Sequence, residues 1–256
     1  MYPEDPLLQP TRLLDFEHTA IAGLITDRGW KDLAQHEQIG EVYDFVRNEI
    51  AFGYNRADDI PASRVLADGY GQCNTKGTLL MALLRGVGVR CRLHGFTIHK
   101  ELQRGVVPEI VYPIAPDEIL HSWVEAETEE GWVNLEGFIL DESFLGTLQV
   151  TFAGSESLCG YGAGTSCLSA PPVAWTGGDT YIQKIGIARD FGTFDAPDDF
   201  YRDHRQAFGI LRDWLFRKVI RHWMNARVRA IRSGRVPRIP GLDLANHRHG
   251  ENQDAA

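Results

Sequence analysis

The chain has 256 residues, 43% hydrophobic and 24% charged, enough apolar mass for one ordinary domain with an appendage or for two small ones, and too much for a disordered chain. No apolar run reaches the roughly 18 residues needed to cross a bilayer, and Met1-Tyr2-Pro3-Glu4-Asp5-Pro6 lacks the basic-then-apolar pattern of a secretory leader, so no membrane association is expected. The net charge of −9 is uneven: residues 201–256 carry 12 Lys/Arg against 5 Asp/Glu, whereas residues 1–200 carry 14 against 30.

Apolar positions Leu33, Ile39, Val42, Phe45, Val46 and Ile50 recur at spacings of three and four, so residues 10–50 read as helical with one buried face. A polar stretch from Asn55 to Asp59 closes at Pro61, and Ser63 to Ala67 forms a short helical turn ending at Asp68-Gly69. Thr75 to Leu84 is an apolar helix stopped near Gly86 and Gly88. The period then shortens. Val89 to Ile98, Ser122 to Thr128 and Trp132 to Leu140 read as strands, the last two joined by a turn at Glu129-Glu130-Gly131. Glu101 to Ile119, with three prolines, reads as a surface excursion, and residues 153–166, with four glycines, as a flexible loop. That loop lacks the flanking elements and terminal Lys-Ser/Thr of a phosphate-binding loop. The run from Tyr181 to Phe194 reads as packing, with coverage of a cleft as the alternative. From Pro197 to Arg232 a long helix is expected, burying Phe208, Leu211, Leu215, Val219, Trp223, Ala226 and Ala230 and exposing Arg205, Arg212, Arg217, Arg221 and Arg232. Docking of this basic helix on the acidic body is the expected use of the charge asymmetry, and an arm for nucleic acid or an acidic partner is the alternative.

The chemistry concentrates in Asp68-Gly69-Tyr70-Gly71-Gln72-Cys73-Asn74-Thr75-Lys76-Gly77, directly before the apolar helix. This places Cys73 in the first helical turn, where unpaired N–H groups and the positive end of the helix dipole favour a thiolate and could hold an oxyanion. Cys91, inside an apolar strand, reads instead as a small core residue. His121, in His121-Ser122-Trp123-Val124-Glu125, can take the thiol proton, and an acid can fix the imidazole tautomer. Glu136 is the expected orienter because its segment, Trp132 to Gly137, passes beside His121; Asp141 and Asn134 are its rivals.

These segments resemble the transglutaminase-like superfamily of papain-related cysteine enzymes: Gly-x-Cys at a helix start, then His-x-Trp-Val-Glu, then Gly-Trp-x-x-Leu-acid, in that order over about residues 40–145. Tyr70-Gly71-Gln72-Cys73 is similar to the nucleophile segment of transglutaminases proper. Two positions depart from that pattern: Asn74 stands where Trp is usual, and Glu136 where Asp is usual. The resemblance implies a helix bearing the cysteine packed on an antiparallel sheet bearing histidine and acid. It also implies a side-chain donor to the oxyanion, for which Tyr54, Asn55 and Gln72 are candidates, with Trp123 as a further substrate contact.

The expected fold is therefore α+β, with a catalytic core over 1–150 and a C-terminal part over 151–256 made of the glycine-rich loop, short strands and the basic helix. The expected function is acyl chemistry at Cys73, His121 and Glu136 on a peptide, amide or thioester donor, resolved by water or by an amine acceptor. A module of this fold without turnover, and binding of nucleic acid or an acidic partner through the basic helix, are the alternatives. No cofactor or metal is expected: Cys159, Cys167 and His247-Arg248-His249 lack ligand spacing, and no acidic loop suits calcium. Four cysteines without a Cys-x-x-Cys pair suggest a reducing, cytoplasmic compartment.

Overall fold

The computed structural model describes residues 5–204 and 214–239. The N-terminal half is helical: α1 (Thr19–Asp27), α2 (Gln35–Asn48), α3 (Ala62–Asp68) and α4 (Cys73–Gly86), with two-residue strands β1 (Ala51–Phe52) and β2 (Tyr70–Gly71) pairing in parallel just before α4. Beyond them lie β3 (Cys91–His99), β4 (Glu118–Thr128), β5 (Gly131–Leu135), α5 (Glu142–Thr151), a hairpin of β6 (Leu158–Gly160) and β7 (Ala163–Thr165), β8 (Ile187–Phe194), α6 (Pro197–Asp203) and α7 (Arg221–Arg232). The main sheet is antiparallel in the order β5-β4-β3-β8, so its edge strand comes from the C-terminal third. This helices-then-sheet arrangement is an α+β fold.

α4 is the central helix. All its residues from Cys73 to Arg85 are buried, including Lys76, whose Nζ donates to the carbonyls of Arg47 (3.2 Å) and Ile139 (3.1 Å). Burial drives the Lys76 amine down to about 7, with Asp141 opposing and Arg232 and Arg47 assisting. The lysine thereby ties α2 and the turn after β5 to the helix that carries the cysteine.

Several sequence expectations need correction. The strand expected over 132–140 ends at Leu135, and α5 follows from Glu142, N-capped by Asp141, whose Oδ1 accepts from the Phe144 amide at 3.0 Å. The loop expected over 153–166 contains the β6–β7 hairpin, seated by Gly162 N–H donating to Leu102 (2.7 Å), Gly164 N–H to Ile182 (2.7 Å) and the Tyr161 hydroxyl to Pro237 (2.6 Å). The excursion at 101–119 turns Leu102, Gln103, Val106 and Val107 inward.

The long C-terminal helix is broken: α6 ends at Asp203, and His204 is extended. Arg205, Phe208, Leu211 and Arg212 lie outside the described residues, as does the 247–249 run. The expected apolar face is also rotated. Val219 and Trp223 are each 47% exposed and Ala226 is exposed, while Met224, Asn225, Val228 and Ile231 are buried. Polar anchors decide the rotation. Asn225 accepts from the Tyr54 amide (2.7 Å) and donates to its carbonyl (3.0 Å), and Arg227 donates to the Val107 carbonyl (3.0 Å). Arg232 grips Asp141 with two bonds (3.0 and 2.6 Å) and adds one to the Phe52 carbonyl (3.0 Å). Burial opposes ionisation of Asp141, yet Arg232 and the Phe52 amide hold its carboxyl below the usual carboxylate range. Arg232→Ala strands that carboxylate in the core and is expected to cost about 3 kcal/mol, read as a lowered urea midpoint at pH 7 with an unchanged slope.

Candidate active site

The approach to Cys73 is set by two glycines. Gly69 caps α3 with φ +69°, a left-handed conformation that a Cβ would strain. At Gly71 a Cβ would lie 2.6 Å from the Thr75 hydroxyl and 3.2 Å from Asn55 Oδ1, so the requirement is close approach of the chain to itself. The Thr75 hydroxyl accepts from the Gln72 amide (3.1 Å) and donates to Asn55 Oδ1 (2.6 Å), and Asn55 Nδ2 donates to Asp68 (3.0 Å) and the Tyr70 carbonyl (3.0 Å). This closed polar network delivers Cys73 as the first residue of α4, 8% exposed, in the turn whose amides stand at the positive end of the helix.

His121, on β4, is fully buried. Its Nε2 bonds Glu136 Oε1 at 2.8 Å, its Nδ1 makes no hydrogen bond among the described residues, and Cys73 lies near the ring. Burial alone would depress the imidazole. The nearby cysteine and then Glu136 outweigh it, and His121 is pushed up to about 10. Glu136, also fully buried, lies one residue past the end of β5. Its second oxygen accepts from the amides of Ile182 and Gln183, both at 2.9 Å, and its own amide donates to the Thr180 carbonyl (3.0 Å). Cys73 at the start of α4 and Glu136 just past β5 thus lie on either side of His121 on β4, with an outer clamp on Glu136 from residues 180–183.

The other sequence candidates are occupied elsewhere. Asp141 is committed to α5, Phe52 and Arg232, and Asn134 donates to Asp179 (3.1 Å). Gln72 accepts from the Asn55 amide (2.9 Å) and donates to Asp58 (2.9 Å), while the Tyr54 hydroxyl donates to Gln103. Burial and the nearby Cys73 push the Tyr54 hydroxyl upward. Trp123 packs on Phe96, with ring centroids 4.1 Å apart, and on Tyr181 at 5.7 Å, and stands 6.5 Å from the His121 ring. Asp58 escaped the sequence reading. Burial raises its carboxyl, opposed by hydrogen bonds from Gln72 and Asn74, the two residues flanking Cys73. The amides of Ile182 and Gln183 were equally invisible, because backbone donors 46 and 47 residues from Glu136 leave no local signature.

Cys91 is fully buried, with its thiol against the Met81 carbonyl at 3.6 Å. Burial, only partly offset by Arg85, pushes it up to about 11. Iodoacetamide at pH 6 is therefore expected to label Cys73 at least tenfold faster than Cys91, with peptide mapping to separate both from the exposed Cys167. Equal slow labelling would identify a module without turnover. Among the described residues, no group of three or more His, Cys, Asp or Glu side chains is arranged to hold a metal ion, and no helix is long and apolar enough to cross a membrane.

Residues 22–137 match the family model described as the transglutaminase-like superfamily. Among solved structures, a candidate cysteine protease from Cytophaga hutchinsonii aligns with a TM-score of 0.43 and 12% identity over 76% of this chain and 47% of that one, so the chain spans about half that protein's length. No curated protein matches the chain.

Proposed function

We propose that this chain, whose residues 22–137 match the transglutaminase-like superfamily, is a cysteine enzyme performing acyl chemistry on an amide or thioester carbonyl. The observation that carries this reading is the buried His121–Glu136 pair at 2.8 Å, with a cysteine at a helix start near the imidazole.

The thiol proton rests on His121 Nδ1, in keeping with the raised imidazole, and the sulfur of Cys73 attacks the carbonyl carbon. A C–S bond forms, and the charge collecting on the carbonyl oxygen meets the unpaired amides of the first turn of α4. Collapse breaks the bond to the leaving amine or thiol, which receives its proton from His121. The thioacyl-enzyme is then opened by water or by an amine that His121 deprotonates, and Cys73 is restored. Glu136 keeps the proton on Nε2 throughout and stabilises the imidazolium.

Intact-mass spectrometry after exposure to peptidyl-glutamine, simple amides and acyl thioesters tests the reading. An acyl adduct on Cys73 is expected, absent from Cys73→Ser, and its decay in the presence or absence of amine distinguishes transfer from hydrolysis. An adduct that persists in Cys73→Ser would assign the nucleophile elsewhere.

A further inference from the structure

Cys73 opens onto a cavity of about 310 Å³. Its wall is drawn from three directions: Ile98 and Leu120 from β3 and β4, Val107 from the inward side of the 101–119 segment, and Phe216, Ile220 and Met224 from the turn before α7 and from α7 itself. Ile114, which also lines it, is 57% exposed, so the mouth has an apolar lip facing solvent. The charged groups on its lining, Arg56, Arg217, Asp58 and Asp59, are of both signs and cancel in number, so no net charge selects an ionic ligand. A chamber with an apolar wall and a nucleophilic sulfur on its surface is matched by an extended hydrocarbon attached to the carbonyl that the sulfur attacks. At about 30 Å³ per water-sized group, the space takes a chain of about eight to ten carbons.

We infer that the acyl donor carries an unbranched apolar acyl chain of medium length, delivered as a neutral amide or thioester, with the chain lying between the 101–119 segment and α7 and the carbonyl at Cys73. The inference rests on the acyl chemistry proposed above and deepens it by naming the donor class. In the transfer step the C–S bond to the chain-bearing carbonyl forms as the bond to the leaving group breaks, and the leaving group departs with the proton His121 took from Cys73.

The probes are p-nitrophenyl acetate, butyrate and octanoate, read as nitrophenolate release with the Cys73→Ala background subtracted, and octanamide binding to Cys73→Ala by calorimetry. The second condition, kcat/KM in Met224→Trp, is read only as the octanoate-to-acetate ratio. Expected are a kcat/KM for octanoate at least tenfold above that for acetate, collapse of the ratio in Met224→Trp, and measurable octanamide binding. A flat or falling chain-length profile, with acylation still on Cys73, overturns the donor class and leaves the acyl chemistry standing. Octanamide binding without acylation by any ester supports the chamber and overturns the chemistry. Absence of both chain preference and octanamide binding overturns the inference outright.

Discussion

His121→Ala is expected to slow acylation of Cys73 by roughly 10³–10⁴-fold at neutral pH, measured as single-turnover accumulation of the thioacyl adduct by quenched mass spectrometry. Two steps need this ring: holding the thiol proton so that the sulfur can attack, and donation of a proton to the leaving group. His121 is fully buried, so water has little access to stand in for it. Its removal also leaves Glu136 Oε1 without its imidazole partner while the other oxygen keeps the amides of Ile182 and Gln183. A lower urea midpoint should therefore accompany the kinetic loss. A rate within tenfold of wild type would remove His121 from the proposed mechanism.

Glu136→Gln is the more discriminating change, because it keeps the size of the side chain and inverts one hydrogen bond. An amide can still accept from Ile182 and Gln183 with its oxygen, which directs its NH₂ at His121 Nε2. Nε2 must then be an acceptor, and the ring proton moves to Nδ1, the nitrogen that has to receive the thiol proton. The expected loss is roughly 10²–10⁴-fold in acylation with a near-native urea midpoint. The pH profile supplies a second signature. Glu136 is among the groups that lift His121 to about 10, so wild-type activity should fall on the alkaline side as the imidazolium is lost near that pH. In Glu136→Gln this limb should move to lower pH but stay above the ordinary histidine range, because the nearby Cys73, the larger raising influence, is unchanged. Stability follows the same sign. A histidine raised on folding contributes in full below the unfolded value, and its contribution disappears as pH rises through the folded one, so alkaline weakening should set in earlier in the variant. A merely structural Glu136 would leave both limbs where they are.

The residues proposed for the chemistry were legible in the sequence to the extent that local physics places them. Cys73 could be placed because two glycines followed by an apolar run mark a helix start, and His121 because it leads into the strand read over Ser122 to Thr128. Glu136 was found through its neighbourhood to β4 even though the strand stops at Leu135 and the carboxylate reaches the ring from a turn. α5 was missed because Gly146, Thr147, Val150 and Thr151 dilute its helical signal; the available clue was Asp141 three residues before Phe144, the spacing of an N-cap. The face of α7 was misassigned by counting apolar residues alone. Asn225 and Arg232 set its rotation with hydrogen bonds to Tyr54, Phe52 and Asp141, partners 91 to 180 residues distant that no periodicity can reveal.

The clamp on Glu136 sets a lower bound on the proposed enzyme. A polypeptide cut after the matched segment at 137 would lose β8 from the sheet edge together with the two N–H groups that hold the inner carboxylate oxygen. That oxygen would be opened to water and unanchored, free to swing its partner ring out of place. The unit needed for the proposed chemistry is therefore larger than the stretch that matches the family model, and excising that stretch alone should yield a protein with the three side chains present and their geometry undone.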